Sequence, residues 1–374
     1  MTGRTKPPFR ADHVGSLLRP QKLRDAREAF DRGALSRAEL TKVEDEAIRE
    51  AVKLQEEVGL KAATDGEFRR RTWHMDFLKQ FANVQQTEAR VNMRFHTNDG
   101  DINFAAPGLK VSGKLGRPHG IFVDHFTFLK SATRITPKQT IPSPSILHFR
   151  GGRDSIDKVA YPDIGEFFSD LARVYSEEIR DLAAAGCRYL QIDETNFGYL
   201  CDPELRKQVW TKIGEDPDKL PQTYAKLLNG AVAGKPADMA VCMHICRGNH
   251  QSAWIAEGGY DPVAEVLFNE IGFDGFFLEY DTPRAGDFSR LRFVPKGKVV
   301  VLGLVTSKLP TLEAKDALKR RIDEAARYVP LEQIALSPQC GFSSTIEGNK
   351  VTVADEIAKL RLCVEVSAEV WGAL

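Results

Sequence analysis

The sequence predicts an α/β fold: a (β/α)8 TIM barrel, one domain over residues 1–374, with an extra hairpin excursion near residues 83–135. Three observations point there. Short apolar runs near Phe9, Leu60, Gln139, Leu190, Val241, Phe277, Val301 and Ala335 mostly alternate with helical sequence, the order a parallel barrel requires. Polar residues gather just past the carboxyl ends of those runs, where barrel enzymes carry their chemistry. No Gly-x-Gly-x-x-Gly follows the first run and no phosphate loop occurs, which argues against a doubly wound nucleotide-binding sheet.

Taken in order, Phe9 to Leu18 reads as a strand closed by a turn at Gly15-Ser16. Ser36 and Glu39 make a capping box for an amphipathic helix that runs through Glu57 and stops at Gly59. Leu60 to Thr64 is the second strand, ending in Asp65-Gly66-Glu67. Phe68 to Leu78 is dense in arginine and aromatic residues, including Trp73 and His74, and suits a packed loop or a substrate-facing one. From about Asn83 to Gly120 no helical period persists and glycine recurs, which reads as a hairpin outside the main alternation. Lys138 to Pro142 is the third strand. Asp163 and Glu166 cap a helix to Ala185, and Arg188 to Ile192 is a strand ending in Asp193-Glu194.

Helical segments near Pro203–Ile213 and Pro221–Ala233 lead to the strand Met239–His244. A helix near Asp261–Glu270, strands at Phe273–Glu279 and Val299–Leu304, a helix over Pro310–Tyr328, a strand at Ile334–Ser337 and a closing helix over Val353–Val370 complete the expectation.

Composition narrows the function. Acidic and basic residues balance at 52 each without a long single-sign run, so no nucleic-acid partner or anionic membrane is implied. No apolar stretch approaches about 18 residues, and the polar start lacks the apolar segment of a signal peptide. The cytoplasm is the expected compartment. There the six cysteines are expected as thiols or ligands, not disulfides. Self-association into a homo-oligomer is left open.

The chemistry centres on His244-Ile245-Cys246. Side chains at i and i+2 of an extended chain share a face, and a histidine–cysteine pair suits Zn²⁺. Cys340, past the last strand and followed by Gly341, and Glu279, at the tip of an apolar run, are the other expected ligands; a packed His–Cys pair, and a salt bridge from Glu279 to Arg247 or Arg284, are the alternatives. Two thiolates, one carboxylate and Zn²⁺ sum to minus one. Such a metal generates hydroxide poorly but keeps a bound thiolate nucleophilic. Asp193, Glu67 and Glu194 lie near the same mouth and suit an ammonium clamp or structural pairing with arginines. Ser16 suits a substrate carboxylate, and Arg247 and Lys308 suit an anion.

These residues, taken as Gly15-Ser16, Asp65-Gly66-Glu67, Gln191-Ile192-Asp193-Glu194, His244-Ile245-Cys246, Glu279 and Cys340-Gly341, occur in an order that resembles the cobalamin-independent methionine synthases. The chain is similar to their carboxy-terminal catalytic barrel, in its short, stand-alone form. The resemblance implies zinc bound by His244, Cys246, Glu279 and Cys340. It also implies homocysteine contacts at Ser16, Glu67 and Asp193, with Asp193 and Glu67 as catalytic residues, and methyl transfer from a methyltetrahydropteroylglutamate-type donor in methionine biosynthesis.

Two departures are visible. The long enzymes carry a histidine after the seventh strand; here that region reads Gly303-Leu304-Val305-Thr306-Ser307-Lys308. Cys246 is followed by Arg247-Gly248-Asn249 in place of an aromatic residue. The thiol-activating half is intact and the donor half is altered. Epoxyalkane:coenzyme M transferases are similar short zinc barrels, and Arg247 or Lys308 would serve the sulfonate of their thiol. A non-catalytic zinc-binding barrel is the remaining alternative.

Overall fold

The structure, a computed structural model, describes residues 4–372, apart from the side chains of residues 89–91. In chain order the strands are β1 (Ala62–Ala63), β2 (Ala82–Thr97), β3 (Gly100–Gly116), β4 (Thr136–Pro137), β5 (Gln139–Pro142), β6 (Tyr189–Glu194), β7 (Ala240–Ile245), β8 (Gly275–Glu279), β9 (Val299–Val305) and β10 (Ile334–Pro338). Six of them form one parallel sheet in the order β10-β9-β8-β7-β6-β5. These strands are buried on both faces, so β9 reads as the unbroken apolar run Val-Val-Val-Leu-Gly-Leu-Val.

The remaining two positions close the (β/α)8 arrangement. β1 pairs in parallel with β4, which Lys138 alone separates from β5. Ala11 forms a parallel bridge with Leu336 of β10. On the other side, Leu17 N–H donates to Gly66 O at 3.1 Å and the Thr64 hydroxyl to Gly15 O at 2.6 Å. The eight expected runs therefore take neighbouring places in one ring.

The first expected strand is reduced to that single bridge. Phe9 N–H is taken by the Asp12 carboxylate at 3.1 Å, not by a neighbouring strand, and Gly15 (φ +133°) turns the chain out of extension. The second shrinks to two residues.

The helices pack outside. Arg37–Val58 starts at the capping box Ser36/Glu39 and ends at Gly59 (φ +99°). Ile164–Ala184 is capped by Asp163, which accepts from Gly165 N; the expected partner Glu166 instead pairs with Lys114 at 2.7 Å. Other boundaries shift. The helix expected over Pro310–Tyr328 spans Lys315–Ala325, and the one near Asp261–Glu270 is a short helical segment whose last turn, Val266–Glu270, is widened.

The excursion expected as a hairpin over 83–135 is corrected as well. β2 and β3 make an antiparallel hairpin over Ala82–Gly116, but Val123–Ala132 is a helix with Phe126 and Leu129 buried. The stretch after Gly120 has no glycine, so nothing there breaks a helix. Among the described residues no helix is long and apolar enough to cross a membrane.

Candidate metal centre and its cavity

Strand register builds the centre. In β7 and β8, His244 lies opposite Phe277 and Ile245 opposite Leu278. Extending that register sets Cys246 beside Glu279, and Cys246 N–H continues the ladder to Glu194 O at 2.8 Å. On the other flank His244 lies opposite Asp193 of β6. Cys340 follows β10, which reaches β8 across β9. Gly303 of β9 permits this closeness, because a Cβ there would stand 2.6 Å from Gln339 Cα and 2.8 Å from Leu278 O.

His244, Cys246, Glu279 and Cys340 each offer one ligand atom, and these atoms lie within 4.8 Å of one another. All four residues are buried. The two sulfurs are 3.5 Å apart, close to the ~3.8 Å between tetrahedral ligands at a Zn–S distance of about 2.3 Å. Neither ring nitrogen of His244 has a well-aligned hydrogen bond, a costly state for a buried polar group unless something binds it. Two thiols, an imidazole and a carboxylate converging with an orphaned imidazole suit zinc chemically.

The electrostatics agree. The Cys246 thiol and His244 hold Cys340 well below the usual thiol range, against the penalty of burial. Burial opposes charge on His244, yet Cys340, Asp193 and Glu279 together hold its pKa above the ordinary value. Burial also opposes charge on Glu279, but Lys308, Arg284 and the Arg247 N–H keep its pKa low. Glu279 Oε1 accepts from Arg247 N at 2.8 Å, and Oε2 lies 3.5 Å from Arg284. The salt bridge considered as an alternative thus exists beside the cluster and does not displace it.

A cavity of about 120 Å³ opens onto the centre, lined by Ser16, Glu67, Asp193, His244, Cys246 and Cys340 among others. Glu67 adopts φ +62°, an uncommon conformation for a non-glycine residue. Its Oε1 accepts from the Thr140 hydroxyl at 2.9 Å and lies 3.3 Å from Arg70, while Oε2 has no partner. Burial and then the Glu67 charge push Asp193 up to about 7. Burial raises Glu67 too, against the pull of Arg70 and Arg19. Two acids held reluctant to ionise in one cavity favour a cationic guest. Ser16 is brought in by Gly341, where a Cβ would stand 1.9 Å from Ser16 Oγ.

Other expected residues sit elsewhere. Arg247 is fully buried with its guanidinium 4.7 Å from the Tyr260 ring and does not line the cavity, because strand alternation turns it away from Cys246. Lys308 Nζ donates to Asn249 Oδ1 at 3.0 Å. Glu194 points away from Asp193 and accepts from the Ser145 hydroxyl at 2.6 Å.

Sequence reasoning missed the roof. Phe95 and Phe104 of the hairpin lie 5.4 and 4.6 Å from the His250 ring and line the cavity with it. The hairpin is tied down by mutual His96–Trp254 backbone hydrogen bonds of 2.6 and 3.0 Å. Alternating apolar residues along β2 and β3 were the available signal, but they do not say which element the hairpin folds onto.

The family described as "Cobalamin-independent synthase, Catalytic domain" matches residues 9–369. The chain is 45% identical over 371 residues to the uncharacterized protein YxjG of Bacillus subtilis, covering 98% of this chain and 96% of that one. It is similar to the crystal structure of a candidate vitamin-B12 independent methionine synthase from Listeria monocytogenes, at 40% identity and TM-score 0.78 over 99% of this chain and 100% of that one. It is 22% identical over 342 residues to the 5-methyltetrahydropteroyltriglutamate–homocysteine methyltransferase of Thermotoga maritima, covering 90% of this chain but 42% of that protein.

Proposed function

The chain belongs to the cobalamin-independent methionine synthase catalytic-domain family, and from that premise we propose that it is a zinc-dependent thiol alkyltransferase that methylates homocysteine to methionine. The observation carrying this reading is the convergence of His244, Cys246, Glu279 and Cys340 on the cavity that also holds Glu67 and Asp193.

Zinc, when held by those four residues, supplies Lewis acidity that lowers a substrate thiol's pKa while an electron-rich ligand set keeps its sulfur nucleophilic. The protein does the rest. Asp193 and the free Oε2 of Glu67 receive the substrate ammonium, giving up the proton that burial encourages them to keep. Ser16, held against Gly341, faces the carboxylate. The amino acid is thereby anchored at its head, and its side chain is directed at the Cys246–Cys340 side. The hairpin roof keeps water off the sulfur, so the methyl group of a methyltetrahydropteroyl-type donor meets the thiolate and not solvent. The S–C bond forms as the bond from the methyl carbon to the donor's nitrogen breaks; its electron pair stays on that nitrogen, which takes up one proton for the one the thiol released.

Arg247 and Lys308, the cations expected to serve a coenzyme M sulfonate, are engaged elsewhere, Arg247 over the Tyr260 ring and Lys308 with Asn249. The test is methionine formation from homocysteine and 5-methyltetrahydropteroylglutamate by zinc-loaded protein. Turnover that disappears on chelation and returns with Zn²⁺ supports the reading; metal-independent turnover, or none with homocysteine, contradicts it.

A further inference from the structure

Two stretches that set this sequence apart from the long enzymes, Arg247-Gly248-Asn249 and Thr306-Ser307-Lys308, meet in the structure. The Lys308 ammonium donates to Asn249 Oδ1 at 3.0 Å, to Ala253 O at 3.3 Å and to Gly248 O at 3.4 Å. Asn249 in turn donates through Nδ2 to Gly341 O at 2.9 Å, and the Ser307 hydroxyl donates to the same oxygen at 3.1 Å. Gly248 and Asn249 follow Cys246, and Gly341 follows Cys340. The ammonium is therefore tethered between the two loops that carry the cysteine ligands.

All three acceptors of Lys308 are neutral. Three lysines are buried among the described residues, Lys138, Lys308 and Lys359. Lys138 has the Asp12 carboxylate at 3.1 Å, and Lys359 has Glu313 at 3.2 Å. Lys308, only 4% exposed, has no carboxylate within ion-pair distance among the described residues; the nearby Asp281 is taken by Arg284 at 2.9 Å. A charge withdrawn from water is costly unless an opposite charge answers it.

The opposite charge is the centre itself, where two thiolates, a carboxylate and Zn²⁺ sum to minus one. Burial aside, Lys308 is the charge that most lowers the Glu279 pKa, ahead of Arg284. On Cys246 it acts against the Cys340 hydrogen bond, burial and the Glu279 charge. A homocysteine sulfur that loses its proton at the centre takes the sum to minus two. A nearby cation offsets that change, and inside a protein its charge is felt through an effective dielectric of about 20, not the ~80 of water. Methionine has the same ammonium and carboxylate, but its thioether has no proton to lose.

We propose that Lys308, held by Asn249, is the charge-compensating residue of the centre, whose ammonium favours the ionised form of a substrate thiol there. It does not line the cavity, so it is a positioning residue: it acts on the sulfur through its field and through the two loops it ties together. This inference rests on the thiol-activation reading, but its test needs no methyl transfer.

The test is calorimetric titration of homocysteine and of methionine into zinc-loaded protein at neutral pH. The two ligands share a head group, so the ratio of their affinities isolates the sulfur. Lys308→Gln keeps a polar side chain between the loops and removes the charge. Its homocysteine-to-methionine affinity ratio should fall about tenfold, the scale of one pKa unit in the bound thiol, with methionine affinity and zinc content retained. Lys308→Arg keeps the charge and should keep most of the ratio. Asn249→Asp leaves the lysine in place but sets a carboxylate against it, and should lower the ratio as Lys308→Gln does; it decides the matter if Lys308→Gln fails to fold or to hold zinc. An unchanged ratio in either charge-cancelling variant overturns the proposal. So does a ratio in Lys308→Arg as low as in Lys308→Gln, or an equal loss for both amino acids, which would make the lysine a structural tether only. Wild-type protein that does not bind homocysteine would fault the thiol-activation reading and this inference together. Failed methionine formation with the charge dependence intact would fault the functional reading alone.

Discussion

The sulfurs of Cys246 and Cys340 stand 3.5 Å apart although 94 residues separate them in the chain. The parallel register of β7 to β10 brings them together, and with them the imidazole of His244 and the carboxylate of Glu279. Cys340→Ser keeps the fold and removes one soft ligand. Its zinc affinity, measured by chelator competition, should fall roughly 100-fold or more, beyond the effect of losing an outer-shell partner, and methyl transfer should fall with it. Full zinc content and wild-type turnover would contradict the ligand assignment.

Gly198 tests how rigidly the centre is supported. A Cβ at Gly198 would stand 2.4 Å from Cys246 O, a backbone atom that no rotamer change can move. Gly198→Ala is expected to cost about 1–3 kcal/mol of stability, as overpacking usually does. It should also weaken zinc binding by shifting Cys246. Thermal melting and chelator competition read the two effects; an unchanged melting temperature and zinc affinity would show that the strand end gives way freely.

The acidic pair predicts a pH dependence. Burial and the Glu67 charge raise Asp193 to about 7, and burial raises Glu67, so binding an ammonium group must expel a proton near neutrality. Affinity for methionine, which has no thiol to confuse the titration, should strengthen as pH rises from 6 to 8. Asp193→Asn should flatten that rise and weaken binding about tenfold or more, the scale of a lost charge-assisted hydrogen bond. Calorimetric titration at several pH values decides; equal steepness in the variant would remove Asp193 from the clamp.

Stability has its own pH signature, away from the centre. Glu356 is buried and its pKa is raised to about 8 by desolvation, against the Leu18 N–H it accepts. The folded protein therefore holds a proton there that the unfolded chain, with a pKa of about 4.3, has released. Stability should fall as pH rises from about 5 to 8. Glu356→Gln should remove that part of the fall and raise Tm at pH 8 by about 2 °C or more, with little change at pH 5. A pH slope identical to wild type would contradict the assignment.

These relationships explain what could be read from the residues alone. Period and alternation placed the strands, and chemistry tends to lie at barrel strand ends, so His244, Cys246, Glu279 and Cys340 could be gathered before any fold was known. Local competition was harder to see. The first strand kept only the Ala11–Leu336 bridge, with Phe9 N–H taken by the Asp12 carboxylate, and β1 shrank to two residues. Arg247 looked available because it adjoins Cys246, but alternation turned it onto Tyr260. The hairpin roof carries no motif. Its role depends on which element it meets in three dimensions, and a linear pattern does not encode that.

The account stands most directly on one measurement: zinc K-edge X-ray absorption of the metal-loaded protein with and without homocysteine. Two sulfur neighbours at about 2.3 Å are expected for the protein alone, from Cys246 and Cys340, and three once homocysteine is added. A sulfur count that does not change would mean a closed structural ion, and the proposal of thiol activation at this centre would be wrong.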